Sequence, residues 1–238
     1  MFDFTNKIVM VTGASGNLGG ALARAYQASK AKLALVDRGE ERLRQVYPDL
    51  VDSPDYLLVN CADLMDEGAV EASVTETVQH FGRIDVLVNT VGGFRAGKML
   101  HETPIETWDF LLKLNARSVF IACKKVIPHM LNQQSGKIIN VAARPGIQGQ
   151  AGMAAYSASK SAVLRLTESM AAELKDHGVN VNCIIPGTID TPQNRESMPD
   201  VDFSNWVTPD SLADVIQFLS SEAARDVHGA ALPVYGRS

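Results

Sequence analysis

Two tyrosines in this chain of 238 residues stand four positions before a lysine: Tyr26 before Lys30, and Tyr156 before Lys160. On a helix that spacing puts both side chains on one face. An ammonium beside a phenol favours the phenolate and draws a tyrosine pKa from ~10 towards neutrality. A tyrosine tuned in this way can pass a proton to or from an oxygen or nitrogen near pH 7. The run AAYSASKSAV around Tyr156 is helix-compatible.

A third candidate is the run TGASGNLG, residues 12–19. Gly13, Gly16 and Gly19 let the chain turn tightly and approach a pyrophosphate closely, and the helix-like run after them offers free N–H groups and positive partial charge. By itself such a run can be only a turn, but here a strand-like run precedes it and a helix-like run follows, the context that a dinucleotide-binding turn requires. Asp37 ends the second strand-like run. A carboxylate there accepts hydrogen bonds from adenosine ribose hydroxyls and repels a 2′-phosphate, although the same residue could be a solvated strand end. The glycine run holds no Lys or Arg to bind such a phosphate, so NAD(H) is favoured; Arg38, directly after Asp37, keeps NADP(H) open.

The elements that must position these groups are legible in the hydropathy pattern. Strand-like runs fall at 7–12, 32–37, 55–60, 84–89, 137–142, 179–185 and 231–235. Helix-like runs fall at 17–29, 66–81, 104–131, 153–177 and 209–224, and the charged EERLR run after Arg38 reads as a solvated helix face. Several strand runs are apolar on both faces, as in a parallel sheet covered by helices on each side. The expectation is a single doubly wound α/β domain of Rossmann type over residues 1–238, with about seven parallel strands and a long irregular loop at 186–207. Ligands of such sheets bind at the carboxyl ends of the strands. Tyr26 and Lys30 lie beside the start of strand two, on the opposite edge, and read as structural. Tyr156 follows the exit of strand five, on the binding edge.

Composition removes several classes of function. Apolar residues make up 46% and charged residues 21%, which argues against disorder. With 22 basic and 27 acidic residues the net charge is −5, a poor footprint for nucleic acid. No apolar run reaches the ~18–20 residues of a membrane-spanning helix, and no signal peptide is visible. Cys61, Cys123 and Cys183 are far apart and five histidines are scattered, so no metal site is expected. Sparse, odd-numbered cysteines fit free thiols in a reducing cytoplasm.

The chain resembles the short-chain dehydrogenase/reductase family over essentially its whole length. TGASGNLG is similar to the family's glycine motif, which places Ser15, Asn17 and Leu18 with the glycines among cofactor contacts. Asp63-Leu64 resembles the pair that meets adenine. Asn89-Thr90-Val91-Gly92 stands where the family has Asn-Asn-Ala-Gly, so only Asn89 and Gly92 match. Asn115 in KLNARSV resembles the helix asparagine that holds a relay water. Pro186-Gly187-Thr188-Ile189, with Thr191, resembles the segment that binds the nicotinamide carboxamide. The resemblance implies an oxidoreductase in which Lys160 binds the nicotinamide ribose and tunes Tyr156. It also implies a small-molecule substrate and a homodimer or homotetramer packed through the 104–131 and 153–177 helices.

One departure matters. The family's catalytic serine lies thirteen residues before the tyrosine, and that position is Ala143. Losing one such donor typically costs ~10²–10³ in rate. Ser135 precedes the strand, and Ser157 and Ser159 are not at the donor position. A second, local resemblance, over residues 189–212, is to dihydropteridine reductase, a divergent branch of the family. That branch also has alanine followed by a basic residue, as in Ala143-Arg144, and a Gly-Gly-aromatic run, as in Gly92-Gly93-Phe94. Its quinonoid dihydropterin substrate develops no alcohol oxygen, so a serine is dispensable. Phe94, Trp206 and Met198 read either as the lining of a flat apolar pocket or as packing residues. The expected substrate is thus a carbonyl compound or a quinonoid dihydropterin, and the alternative is a nucleotide-binding sensor that has lost turnover.

Overall fold

A computed structural model describes residues 2–51 and 53–237. Strands β1 (Ile8–Thr12), β2 (Lys32–Asp37), β3 (Tyr56–Asn60), β4 (Val86–Asn89), β5 (Gly136–Val141), β6 (Val179–Pro186) and β7 (Ala231–Val234) form one sheet in the order β3-β2-β1-β4-β5-β6-β7. Every pairing is parallel. Helices α1 (Asn17–Ala28), α2 (Glu40–Val46), α3 (Glu67–Phe81), α4 (Ile105–Leu111), α5 (Ser118–Gln133), α6 (Ala154–Leu174), α7 (Pro192–Ser197) and α8 (Pro209–Ser220) make the connections. The expected doubly wound α/β sheet is therefore present.

Strand periodicity explains the two covered faces. Val9 and Val11 of β1 join one core with Leu18 and Leu22 of α1 and Leu212 and Ile216 of α8. Met10, between them, joins the other core with Val70 of α3, Val126 of α5 and Val163 of α6. β5 divides in the same way, Ile138 to one side and Ile139 to the other. Alternate side chains point to opposite faces, so a strand buried on both must be apolar throughout.

Two expectations need correction. The helical run at 104–131 is not one helix: a π-helical turn, Leu112–Arg117, separates α4 from α5. Such turns carry an extra residue, re-aim the side chains they contain and recur at functional sites. The 186–207 segment is not wholly irregular. It contains α7, capped by the Thr191 side chain, a 3-10 turn at Phe203–Asn205, and a parallel bridge between Ile189 and Val207.

The strand order reverses between β1 and β4, and the crevice of an open α/β sheet lies outside the carboxyl ends at that point. A row of polar residues braces this edge. Thr12 Oγ1 donates to Asn89 Oδ1 (3.2 Å), Asn89 Nδ2 to Asn140 Oδ1 (2.9 Å), and Asn140 Nδ2 to Thr167 Oγ1 on α6 (3.0 Å). All four residues are buried, and satisfying them together locks β1, β4, β5 and α6 in one register.

Candidate active site

The glycine turn leaves β1 and enters α1. Gly13 has φ +74°, and a Cβ there would lie 2.7 Å from Thr90 Oγ1. That hydroxyl donates to the Thr12 carbonyl at 2.6 Å. Thr90, where the family pattern has asparagine, thus closes the turn against β4. Gly16 at the N-cap of α1 brings no side chain, and the first turn of the helix carries no acid. Its N–H groups and positive end face the crevice with no side-chain cap, the arrangement that suits a pyrophosphate. Asp37 ends β2 across from this turn. Ser15 donates to its Oδ2 from both N–H (2.8 Å) and Oγ (2.6 Å), and the Arg38 N–H donates to Oδ1 (2.7 Å). Oδ2 is thereby filled, and Oδ1 keeps a lone pair for a further hydroxyl donor. Asp63 turns the chain beyond β3, accepting from the Met65 N–H at 2.8 Å, and Leu64 packs into the core. These residues fit a dinucleotide.

Tyr156 lies in the first turn of α6, and Lys160 one turn on. Lys160 is 5% exposed, and its Nζ donates to the Val141 carbonyl at the end of β5 (2.9 Å). Burial lowers its pKa from 10.5 to about 8. The tyrosine departs from expectation. Four-residue spacing predicts a lowered phenol, but burial pushes Tyr156 up to about 12. The cause is where the ammonium goes: Lys160 is engaged with a backbone carbonyl, and desolvation alone acts on the phenol.

Asn115 sits inside the π turn, fully buried. Its Oδ1 accepts from the Gly93 N–H (2.7 Å), and its Nδ2 donates to the Gly93 carbonyl (3.0 Å) and to Ser159 Oγ (2.9 Å). Ser159 Oγ in turn donates to the Tyr156 carbonyl at 2.8 Å. The π turn, the exit of β4 and the start of α6 are therefore tied at one point. Gly92 fills the remaining space: a Cβ there would stand 3.1 Å from Lys160 Nζ and 3.2 Å from Asn115 Oδ1. The structure thus brings Tyr156, Lys160, Asn115 and Gly92 together at the carboxyl edge. Ser159 and Gly93 were noticed for other reasons, but their roles here, and that of Val141, were not legible in the motifs, because a hydroxyl, a glycine amide and a carbonyl carry no signature of their own.

Ala143 follows β5 in extended conformation, 8% exposed, and caps the short 3-10 turn Arg144–Gly146. The Arg144 guanidinium lies 5.1 Å from the Tyr235 ring centroid. Phe94 is 60% exposed and its ring stands perpendicular to that of Tyr156, centroids 4.9 Å apart. Trp206 differs: it is buried and packs on Phe203 at 4.9 Å. Met198 is partly buried just after α7. The segment that carries Pro186, Gly187, Thr188, Ile189 and Thr191 leaves β6 towards the glycine turn, and Gln193 Oε1 of α7 accepts from Asn17 Nδ2 at 2.8 Å. Asp190 and Arg195 form a two-pronged pair there, at 2.6 and 2.7 Å. The described residues contain no cluster of His, Cys, Asp or Glu that could hold a metal, and no helix long and apolar enough to cross a membrane. Cys61, Cys123 and Cys183 are all buried free thiols.

Residues 7–202 match the family model for short chain dehydrogenases. The chain belongs to the short-chain dehydrogenase family. Similar relatives include 2-(R)-hydroxypropyl-CoM dehydrogenase of Xanthobacter autotrophicus, 35% identical over 97% of this chain and 98% of that protein. Meso-2,3-butanediol dehydrogenase of Serratia marcescens is 34% identical over 98% of this chain and 94% of that protein. The crystal structure of levodione reductase superposes with a TM-score of 0.90 at 33% identity, covering 98% of this chain and 97% of that one. As a short-chain dehydrogenase, the protein is an NAD(P)H-dependent oxidoreductase acting on a small molecule.

Proposed function

We propose that this short-chain dehydrogenase is an NAD(H)-dependent reductase of a carbonyl compound, with Tyr156 as proton donor in reduction and proton acceptor in the reverse direction. The observation that carries the reading is the Tyr156–Lys160 turn of α6, tied through Ser159 and Asn115 to the exit of β4 at the carboxyl edge of the sheet. The nicotinamide cofactor, when bound, supplies the hydride. Gly13, Ser15, Asn17, Leu18 and Gly19 would hold its pyrophosphate, Asp37 and Arg38 the adenosine ribose, and Asp63 and Leu64 the adenine. Asn89, Gly92 and the segment Pro186, Gly187, Thr188, Ile189 and Thr191 would hold the nicotinamide half. Asp37 supports NAD(H), because its carboxylate is fixed by Ser15 where a 2′-phosphate would meet it.

Lys160 keeps its proton at pH 7, since its lowered pKa of about 8 still lies above that pH. Exchanging the Val141 carbonyl for cofactor ribose hydroxyls would turn this charge towards the phenol and lower it from about 12. Asn115 holds Gly93 and would order a relay water beside Lys160.

Ala143 favours a second reading. A quinonoid dihydropterin develops no alkoxide at the serine position, and a methyl group there, with Phe94 against Tyr156, would suit a flat ring; Arg144 and Trp206 would complete the pocket in this reading. A sensor that only binds nucleotide is disfavoured, because it needs no Asn115–Ser159–Tyr156 connection. We also propose that residues 1–238 act as one domain and that the chain is a homodimer or homotetramer through α5 and α6. Phe120 on α5, 51% exposed, supports such an interface, and light scattering tests it, a monomer at micromolar concentration being the contrary result.

The experiment that tests the reading is NADH oxidation by the purified protein with a panel of ketones, beside quinonoid dihydropterin generated in situ. Turnover of ketones is the result expected. Turnover of the pterin alone would replace the carbonyl reading with the second one, and NADH binding without any turnover would favour the sensor.

A further inference from the structure

Beyond the exit of β4, residues 94–98 fold over the start of α6, held by a hydrogen bond from the Gly97 N–H to the Gly152 carbonyl (2.9 Å). Between this loop, α4 and α6 lies a cavity of about 450 Å³. Its functional lining is Phe94, Arg95, Lys98, Thr103, Thr107 and Met153, and the remainder is glycine, alanine and proline. Two of the lining residues are cationic and none is acidic.

We propose that this cavity binds an oxyanion group, a carboxylate, phosphate or sulfonate, at the far end of the substrate, with Arg95 and Lys98 as its cationic contacts. The proposal rests on the carbonyl-reductase reading and names the substrate class for it.

Three observations carry it. Neither Arg95 nor Lys98 forms an ion pair among the described residues, whereas Arg44 pairs with Glu40 and Lys124 with Glu67 elsewhere on the surface. Glu102 and Glu106 lie in the adjoining segment but outside the lining, and Glu102 stands 4.0 Å from His101. The Arg95 guanidinium is laid over the Phe110 ring, 3.7 Å from its centroid. That stacking fixes the plane of the fork while leaving its N–H edge to meet an oxyanion, which lowers the ordering cost of a bidentate contact. Finally, Phe94 is a wall of the cavity and also touches the Tyr156 ring. A substrate that passes Phe94 places its carbonyl on the tyrosine side and its tail on the side of the two cations.

The test uses methyl ketones that end in a carboxylate two, three or four carbons away, each beside its uncharged methyl ester. Binding to the full chain with NADH is measured by calorimetry, and NADH oxidation is followed in parallel. At least one carboxylate is expected to bind about tenfold tighter than its ester, with a preference that shrinks as salt is raised. Arg95→Met and Lys98→Met should each weaken the carboxylate and leave the ester unchanged. Equal affinity for every acid and ester, no binding of any acid, or a preference that survives both substitutions would overturn the proposal. The two readings fail separately. Ketone turnover without charge preference removes the subsite and keeps the reductase, whereas charge-dependent binding without NADH oxidation keeps the subsite and removes the reductase.

Discussion

The chain contains the same two residues at the same spacing twice, and the two places have become opposites. At the amino edge of the sheet, Tyr26 is fully buried and its hydroxyl lies 2.7 Å from Ser220 Oγ. Its partner Lys30 is not on α1 at all: the helix ends at Ala28, and Lys30 is exposed with φ +63°. At the carboxyl edge the lysine is the buried member, and the tyrosine is partly open beside Phe94. Spacing sets which groups can meet. The edge of the sheet decides whether the phenol becomes a packing group or one that a substrate can reach.

Lys160→Met should break the comparison hardest. It removes the charge that the proposed function turns towards Tyr156 when cofactor binds, and turnover should fall by about 10² or more, read as kcat on any accepted ketone. The same variant has an opposite signature in stability. Burial disfavours charged Lys160 in the folded chain, so its pKa falls from 10.5 to about 8 and the penalty is full below about pH 8 and gone above 10.5. Stability contributed by this group is therefore lost as pH falls through that window. Relative to Lys160→Met, the thermal midpoint of the unsubstituted chain should drop as pH goes from 10.5 to 7; a difference constant with pH would contradict the assignment.

Ala143→Ser sharpens the comparison at the next scale. If a carbonyl is reduced, a restored hydroxyl donor should raise kcat by up to about 10². A pterin substrate should show no gain, and stopped-flow measurement on both substrates separates the cases. Asp37→Ala should shift the NADH-to-NADPH ratio of kcat/KM by about tenfold towards NADPH, as expected for removing one close negative charge. An unchanged ratio would mean that another group reads the ribose. The smallest effect belongs to the structural pair. Tyr26→Phe removes one buried hydrogen bond, while Ser220 Oγ keeps its own to the Ile216 carbonyl, and should cost about 1 kcal/mol in denaturant unfolding.

Much of this architecture was legible because it rests on periodicity. All seven strand-like runs became strands, since residues such as those of Ile8–Thr12 are apolar on both faces and have no other way to be buried. The interruption of 104–131 was not legible: LKLNAR has ordinary helical composition, and its π turn is stabilised by Asn115 reaching Gly93, a contact made 22 residues away. The short helix α7 was overlooked in a polar segment although its local start signal, Thr191 as cap before Pro192, is in the sequence; only its Asn17–Gln193 contact is tertiary. The motifs located the candidate site and its edge. The direction of the Tyr156 shift escaped them, because a local spacing does not report that Lys160 is bonded to Val141. Arg95 and Lys98 belong to no motif, and only the fold of the loop onto Gly152 turns them towards one cavity.

The most direct test sets the twin tyrosines side by side. Tyr156→Phe and Tyr26→Phe are each assayed for NADH oxidation on the best ketone of the panel, with folding checked by circular dichroism. The account predicts loss of about 10²–10⁴ in kcat for Tyr156→Phe with an intact fold, and full turnover for Tyr26→Phe. Undiminished turnover in Tyr156→Phe would contradict it.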